Sequence, residues 1–589
     1  MLLMIPTLVL AMAVAGDQVV LEGGPRPSKL LPDNFPIFVQ ALMDEWHVSG
    51  LSMGVIKVPE DGEDVVTEFY GFGEAGRGRT VDKDTLYGIA SNSKLFTAAA
   101  VGKLVDDGHF SWTDKVTKLM PDFKLSDEYA SERSTLIDIL SHRTGMPRHE
   151  HSYRVGQTIG ELVKNLHHLE PAAEFRETWQ YNNQMFATAA HLVAETSKQD
   201  FTTFMQSEIF DKLGMSSTTY QPHLDGPEVQ TKLSSSFQTL ENGTIIEIPY
   251  GFNYSYEDLQ FNAGPGGIVT SAADLLKWVE FLIRQASLHR RAGLAQQEPL
   301  SRYAGLPSPL TILQLSTPYM LMDRFPEDPY LGPSAYGLGL MMRSNRGVEM
   351  NWHGGDVPGF GSQVVWSAQA GVGIVALASA SGSGNSVADI ACFRAFDELV
   401  GHKPYDWPSN YRKKEKKAAE KREGAARKAA AHDKAEHPPS LPVEAYLGTF
   451  TDAGYGQINV CSVKSPHSTS SACKKLLERI NRADSASTVV PPLHPDPILY
   501  VSWPGYFNFS HVVLRHYDGD VWKGAFVDLL EGTERNPGLK MIYEDADSVV
   551  VQFRVKDRKV TQMEVSGVWG AGAGVPEDDT RVEVVFAKV

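Results

Sequence analysis

The stretch Leu95–Val105, LFTAAAVGKLV, constrains the fold more than any other part of the chain. Only Lys103 is clearly polar before the terminal Asp106 and Asp107. A helix apolar on nearly every side belongs in a domain interior. Its first turn nonetheless carries Ser91 and Lys94. Residues i and i+3 share a helix face, so Lys94 can reach the Ser91 hydroxyl. Serine is a poor nucleophile until a neighbouring base takes its proton, and a desolvated lysine can act as that base. Doing so near neutrality needs a downward shift of roughly 3 pKa units, about 4 kcal/mol. Burial and cationic neighbours supply shifts of that size. An N-cap serine beside a snorkelling lysine gives the same tetrapeptide, so the pair acquires meaning only from the rest of the chain.

At 589 residues the chain exceeds one compact domain, and 42% hydrophobic content is ample for a large core. A formal charge of −17 argues against nucleic acid or an anionic membrane as a partner. Residues 2–15, LLMIPTLVLAMAVA, are apolar but too short to span a bilayer. Ala13-Val14-Ala15 before Gly16 suits a cleavage site, although the stretch lacks a leading Lys or Arg. Residues 1–15 therefore read as a signal peptide and the product as secreted, extracellular and without a membrane partner. The three cysteines fit no metal spacing. Cys392 reads as a buried thiol. Cys461 and Cys473 flank a turn-rich loop and could pair in an oxidising compartment. Sequons at Asn242, Asn253 and Asn508 permit glycosylation.

Residues 30–405 alternate helix and strand patterns. PIFVQALMDEWHV has helical periodicity, LSMGVIKV and DVVTEFYGFG read as strands, and QVVWSAQAGVGIVALASA reads as a hairpin before a helix from about Ser386 to Val400. Strands at both ends of a region with helices between them imply one sheet assembled from distant segments, an α/β or α+β domain. Residues 406–440 change composition abruptly, to YRKKEKKAAEKREGAARKAAAHDKAEHPP, and read as a solvated helical linker. Residues 441–589 are mostly short alternating strands, implying a small β-barrel or sandwich.

Several motifs carry chemistry or imitate it. Gly50-Leu51-Ser52-Met53-Gly54 matches a nucleophile elbow, but Ser52 lies inside a strand and no helix follows. Gly71-Phe72-Gly73-Glu74-Ala75-Gly76 follows a strand but opens no helix to hold a pyrophosphate. His149-Glu150-His151 and His167-His168 lack the i, i+4 spacing of a helical zinc site and read as surface histidines. Tyr181-Asn182-Asn183 immediately precedes a helix that begins near Gln184. Tyr181 offers a phenol whose pKa a neighbouring Lys94 could depress, and Asn183 an amide for a substrate carbonyl. Capping by Asn182 or Asn183, with Tyr181 in the core, is the alternative. Asn351-Trp352-His353-Gly354-Gly355-Asp356 precedes the hairpin. Its glycines allow close backbone approach, on an edge that could aim an N–H at a developing oxyanion, or they form a plain turn.

Taken in order, Ser91/Lys94, Tyr181/Asn183 and His353/Gly355 resemble the serine β-lactamase and penicillin-binding protein superfamily, in its class C β-lactamase, D,D-carboxypeptidase and esterase branch. ILSHRTGMP (139–147), AGPGGIVTSAADLLKW (263–278) and AYGLGLMM (335–342) resemble it too. The likeness covers about residues 30–400, and the opening of the C-terminal region is similar to a lipocalin-like domain. The resemblance implies a β-lactamase/transpeptidase-like α+β fold, an antiparallel sheet with a helical subdomain, followed by a barrel-like domain. It implies Ser91 as nucleophile and Lys94 with Tyr181 as joint acid/base, the first proton acceptor being open. Asn183 would hold the acyl side chain, and the Ser91 and Asp356 N–H groups would form the oxyanion hole. His353 stands where β-lactamases usually keep a lysine, and a neutral imidazole is a poor carboxylate anchor. The expected activity is a serine hydrolase acting on ester or amide bonds of a small-molecule or peptide substrate, without cofactor or metal. An acyltransferase using the same acyl-enzyme, or a non-catalytic recognition protein, would present the same residues.

Overall fold

The structure is a computed structural model. It describes residues 29–589 except 60–63, 77, 155, 223–224, 240–244, 249–255, 293–300, 327, 329, 432–435, 465–469, 484–496, 504–510, 531–532, 534–537, 539, 544–547 and 570–580. The signal peptide expected at 1–15 and all three sequons lie outside the described residues.

Helix α1 (Phe35–Trp46) buries Phe35, Val39, Leu42 and Met43, the i, i+4, i+7, i+8 stripe of a one-sided helix. It leads into a nine-stranded antiparallel sheet. The strands are β1 (Gly50–Lys57), β2 (Val66–Gly76), β3 (Arg79–Thr80), β4 (Met320–Asp323), β5 (Ser334–Tyr336), β6 (Met341–Asn345), β7 (Val348–Val357), β8 (Phe360–Ser367) and β9 (Val372–Ala378). Their spatial order is β3-β2-β1-β9-β8-β7-β6-β5-β4. The first and last parts of the domain therefore meet at β1–β9, where Leu51 pairs with Ala378 and Lys57 with Val372. Ser52 lies inside β1, fully buried, with its hydroxyl donating to the Asp82 carbonyl at 2.8 Å. It cannot meet a substrate there. The Gly71 repeat is packing too: a Cβ at Gly71 would lie 2.1 Å from the Val81 carbonyl oxygen.

Helices cover both sheet faces. On one side α1 and α6 (Ser383–Leu399) enclose Leu51, Met53, Ile374 and Ala376. Five further helices matter for position. They are α2 (Ser93–Asp106), α3 (Asn183–Ser197), α4 (Tyr256–Gly266), α5 (Ala272–Ala292) and, after α6, α7 (Trp407–Ala431). The α2 helix buries every residue from Ser93 to Leu104, as its sequence demands, with Phe96 stacked on Trp278 of α5 at 4.2 Å. The charged α7 is solvated along most of its described length, but its first turn is docked. Trp407 Nε1 donates to Asp397 at 2.9 Å and Tyr411 O–H to Asp389 at 2.8 Å.

The C-terminal region closes into a barrel of eight strands: β10 (Gly448–Asp452), β11 (Gly456–Cys461), β12 (Ile498–Ser502), β13 (His511–Asp518), β14 (Val521–Leu530), β15 (Val549–Lys556), β16 (Lys559–Ser566) and β17 (Val584–Lys588). The order β13-β12-β11-β10-β17-β16-β15-β14 closes through β13–β14 pairing. Its interior is aromatic, with Tyr446, Phe450, Trp522, Phe553 and Phe586 buried. Cys461 and Cys473 form a disulfide across the loop they flank, and Cys392 is a buried free thiol.

One expectation is overturned where the barrel meets the helical subdomain. His149 and His151 are buried, not on the surface. The His149 ring lies between the Tyr455 hydroxyl at 2.7 Å and the Glu170 carbonyl at 2.9 Å. His151 stacks flat on Phe526 at 4.0 Å, and its carbonyl accepts from Trp503 Nε1 at 3.1 Å. Burial holds both imidazoles neutral, at about 4 for His149 and about 3 for His151. Barrel residues some 300 positions away cover them, and no local pattern announces such cover. His167 and His168 are exposed, as expected.

Candidate active site

The nucleophile turn is built by close approach. A 3-10 turn, Ala90–Asn92, feeds α2, and Ala90 takes φ 46°, the left-handed region that L-residues avoid. Tertiary contacts hold it there. Ile89 N–H donates to the Ile268 carbonyl at 2.9 Å, and the Ser362 hydroxyl donates to the Ile89 carbonyl at 2.8 Å. Asn92 Nδ2 donates to that same Ser362 oxygen at 2.8 Å. The result leaves Ser91 partly exposed while Lys94 behind it is completely buried.

Lys94 Nζ lies 3.0 Å from Ser91 Oγ and donates to the Pro265 carbonyl at 2.8 Å. That carbonyl is free because it belongs to the last turn of α4, where helical acceptors have no partner within the helix. Burial pushes the Lys94 amine well below its ordinary value, and the Arg148 guanidinium adds to the effect against an opposing Glu150. The lone pair of a free amine can accept the Ser91 proton. On the other side, Tyr181 O–H donates to Ser91 Oγ at 2.7 Å. Here the sequence expectation is reversed: burial pushes the Tyr181 phenol above its ordinary value, with Arg148 and the Ser91 hydrogen bond opposing more weakly. An uncharged Lys94 has no positive charge with which to depress the phenol.

Tyr181-Asn182-Asn183 sits at the head of α3, which begins at Asn183. Asn182 is the cap, its side chain accepting from Met185 N–H at 3.0 Å, so the capping alternative accounts for this residue. Asn183 is left for other work, and its Nδ2 donates to Glu150 Oε1 at 2.7 Å. His142 brackets the turn: Asn182 N–H donates to its Nδ1 at 3.0 Å and Gln180 N–H to its carbonyl at 2.8 Å.

His353 lies on β7, buried, with both ring nitrogens engaged. Nδ1–H faces the Gly354 carbonyl at 2.6 Å and Nε2 the Tyr336 hydroxyl at 3.1 Å. Burial, with Lys94 nearby, lowers it to about 3. It is therefore a neutral, committed imidazole at pH 7. Gly355 is where β7 meets the nucleophile turn. A Cβ there would lie 2.2 Å from the Ile89 carbonyl oxygen and 2.5 Å from Ser362 Oγ. Gly355→Ala should displace β7 from Ser91, lowering kcat/KM by about 100-fold, as ~1 Å misplacements do. Steady-state kinetics on the folded variant checks this. Asp356, next along β7, pairs with Gly361 and is exposed.

The structure thus brings Ser91, Lys94 and Tyr181 into one hydrogen-bonded group. Asn183 is joined to the Tyr181 turn, and Gly355 abuts the strand of chain leading into Ser91. Sequence reasoning missed Arg148, Glu150, Ser362 and the Pro265 carbonyl. Arg148 directly follows the ILSHRTGMP segment, and Glu150 lies inside the His149-Glu150-His151 triplet that imitates a metal motif. Among the described residues no group of three or more His, Cys, Asp or Glu side chains converges to hold a metal, and no helix is long and apolar enough to cross a membrane.

The sequence matches the beta-lactamase family over residues 38–395. Unguisins hydrolase ungD' of Aspergillus campestris is 28% identical over 457 residues, covering 73% of this chain and 78% of the relative. Unguisins hydrolase ungD of Aspergillus violaceofuscus is 29% identical over 450 residues, covering 73% and 76%. The octameric penicillin-binding protein homologue of Pyrococcus abyssi shares the fold at a TM-score of 0.51 and 18% identity, covering 90% of this chain and 97% of that one. With most of its length matched by the family, and an antiparallel sheet and helical subdomain around the Ser91 group, the chain belongs to the beta-lactamase family and is a serine hydrolase of that fold.

Proposed function

We propose that the protein cleaves ester or amide bonds through an acyl-enzyme on Ser91. The observation that carries this reading is the Ser91 hydroxyl held between the Lys94 amine at 3.0 Å and the Tyr181 phenol at 2.7 Å. Lys94 takes the Ser91 proton as Oγ attacks the carbonyl carbon. The Ser91 and Asp356 N–H groups receive the oxyanion. Tyr181, a protonated donor, gives its proton to the leaving group as the scissile bond breaks and is refilled from Lys94. Water then reverses the sequence and frees the acid. Asn183 holds the acyl side chain. The hydrolases among its relatives support water as the acceptor.

Incubation with a fluorophosphonate, followed by mass spectrometry, tests the reading. Label is expected on Ser91 and lost in Ser91→Ala; a folded protein without an adduct sinks it. Because the base must be free and the phenol protonated, kcat/KM should rise with pH through the Lys94 pKa to a plateau. That plateau should hold to about pH 9, since Tyr181 is raised and not lowered. A basic limb near neutrality contradicts Tyr181 as the proton donor. The neutral His353 leaves no carboxylate anchor at its position, so an uncharged ester should exceed its carboxylate-bearing analogue by about tenfold in kcat/KM. The Cys461–Cys473 bond supports export to an oxidising compartment.

A further inference from the structure

Neither Arg148 nor Glu150 takes part in the reaction above, yet both are built into its centre. The Arg148 guanidinium lies 4.5 Å from the centroid of the Tyr181 ring, and Lys94 Nζ lies 4.7 Å from the same centroid. Arg148 Nη1 pairs with Glu150 Oε1 at 2.9 Å, the same oxygen that accepts from Asn183 Nδ2 at 2.7 Å. One carboxylate therefore fixes both the guanidinium and the amide expected to hold the acyl group. The residues that alternate with them face elsewhere. His149 is clasped by Tyr455, and the His151 backbone by Trp503, both from the barrel.

We infer that Arg148 is a positioning residue of the active site, its permanent positive charge opposing a second one on Lys94, and that the C-terminal barrel holds it there. A guanidinium stays charged at every relevant pH, and a neighbouring like charge across the shared Tyr181 ring disfavours protonation of an amine. The groups facing Lys94 are the Tyr181 and Phe186 rings, the Pro265 carbonyl, Arg148 and Glu150, and the imidazoles of His142 and His353. Burial keeps both imidazoles neutral, so Arg148 is the lasting cation in this described set. Without it, only burial would remain to favour the free amine, and less strongly. The barrel contacts explain why a hydrolase domain carries this appendage: they pin the segment that carries Arg148 and Glu150.

This inference rests on Lys94 as the base for Ser91. The test measures the rate of Ser91 acylation by an uncharged activated ester between pH 5 and 10. Wild type, Arg148→Met, Arg148→Lys, Glu150→Gln and Tyr455→Phe are compared. In Arg148→Met the acid limb should move up by about one pH unit. Arg148→Lys should hold it within a few tenths of a unit. Glu150→Gln, which removes the opposing charge but keeps an acceptor for Asn183, should move it down. Tyr455→Phe should move it up by less than Arg148→Met. A purely structural role lowers the rate at all pH values with the limb unmoved, and that result overturns the inference. Should Arg148→Met not fold, an unmoved limb in Glu150→Gln overturns it equally. Failure of wild-type Ser91 to acylate at all instead removes the proposed function, and the two failures are distinguishable.

Discussion

Replacing Lys94 with methionine should lower kcat/KM by about three orders of magnitude and, in the same variant, stabilise the fold. The first effect is the loss of a positioned general base, which mutagenesis elsewhere places at ~10²–10⁴. The second follows from where the amine sits. Lys94 is completely buried, and folding must strip or desolvate a group that is protonated in the unfolded chain at pH 7. Its folded pKa is depressed, so between that value and 10.5 the unfolded state binds more protons. Stability must then rise with pH across that window, by up to about 1.4 kcal/mol per unit. Methionine has a similar shape and nothing to desolvate, so the variant should be more stable at pH 7 and lose this slope between pH 7 and 10. Urea titrations at three pH values, run beside the kinetics, check both halves. A variant within tenfold of wild-type activity would mean that another group takes the Ser91 proton. A destabilised one would mean that the amine's hydrogen bonds outweigh its burial.

The protein should also be acid-labile well above the ordinary carboxylate range. Among the buried histidines, His149, His151, His353 and His511 are held at about 4, 3, 3 and 3, mainly by burial. In the unfolded chain each titrates near 6.5. Below that value the unfolded state takes up protons that the native state refuses, so stability is fully present above pH 6.5. It is lost progressively as pH falls toward the native values. At pH 5 each ring withdraws about 2 kcal/mol, a loss that the Asp389 carboxyl, raised to about 6 by burial, offsets only in part. Thermal unfolding from pH 7.5 to 4.5 should therefore show a steep fall in Tm beginning near 6.5. His149→Gln should flatten it, because it removes one of the rings that only the unfolded chain protonates in this range. A Tm unchanged between pH 7 and 5 would falsify the assignment of these rings as neutral. Acid inactivation should accordingly combine two events: protonation of Lys94 and loosening of the interdomain contact.

The triplets Ser91/Lys94, Tyr181/Asn183 and His353/Gly355 were legible because each is local. Ser91 and Lys94 share a helix face by spacing alone, and the apolar run after them admits only an interior position. Gly355 was readable as a place of close approach because glycine alone tolerates a neighbour where Cβ would stand. Arg148 and Glu150 were not legible, since an arginine and a glutamate two residues apart in a loop describe ordinary surface as well as a half-buried strut. The difference lies in Tyr455, Trp503 and Phe526, which come from the far end of the chain. Tyr181 shows the same limit in another form. A phenol beside a lysine can be pushed up or down, and the direction depends on whether that lysine keeps its charge.

By itself, then, the sequence determined which groups could react, in what order along the chain, and that Lys94 would be enclosed. Covalent spacing and helix periodicity are short-range constraints that survive without knowledge of the fold. The tertiary structure decided the protonation states, the burial of His149 and His151, and the union of barrel and active site. Those depend on desolvation and on Coulomb interactions between residues hundreds of positions apart, which act only after the chain has packed.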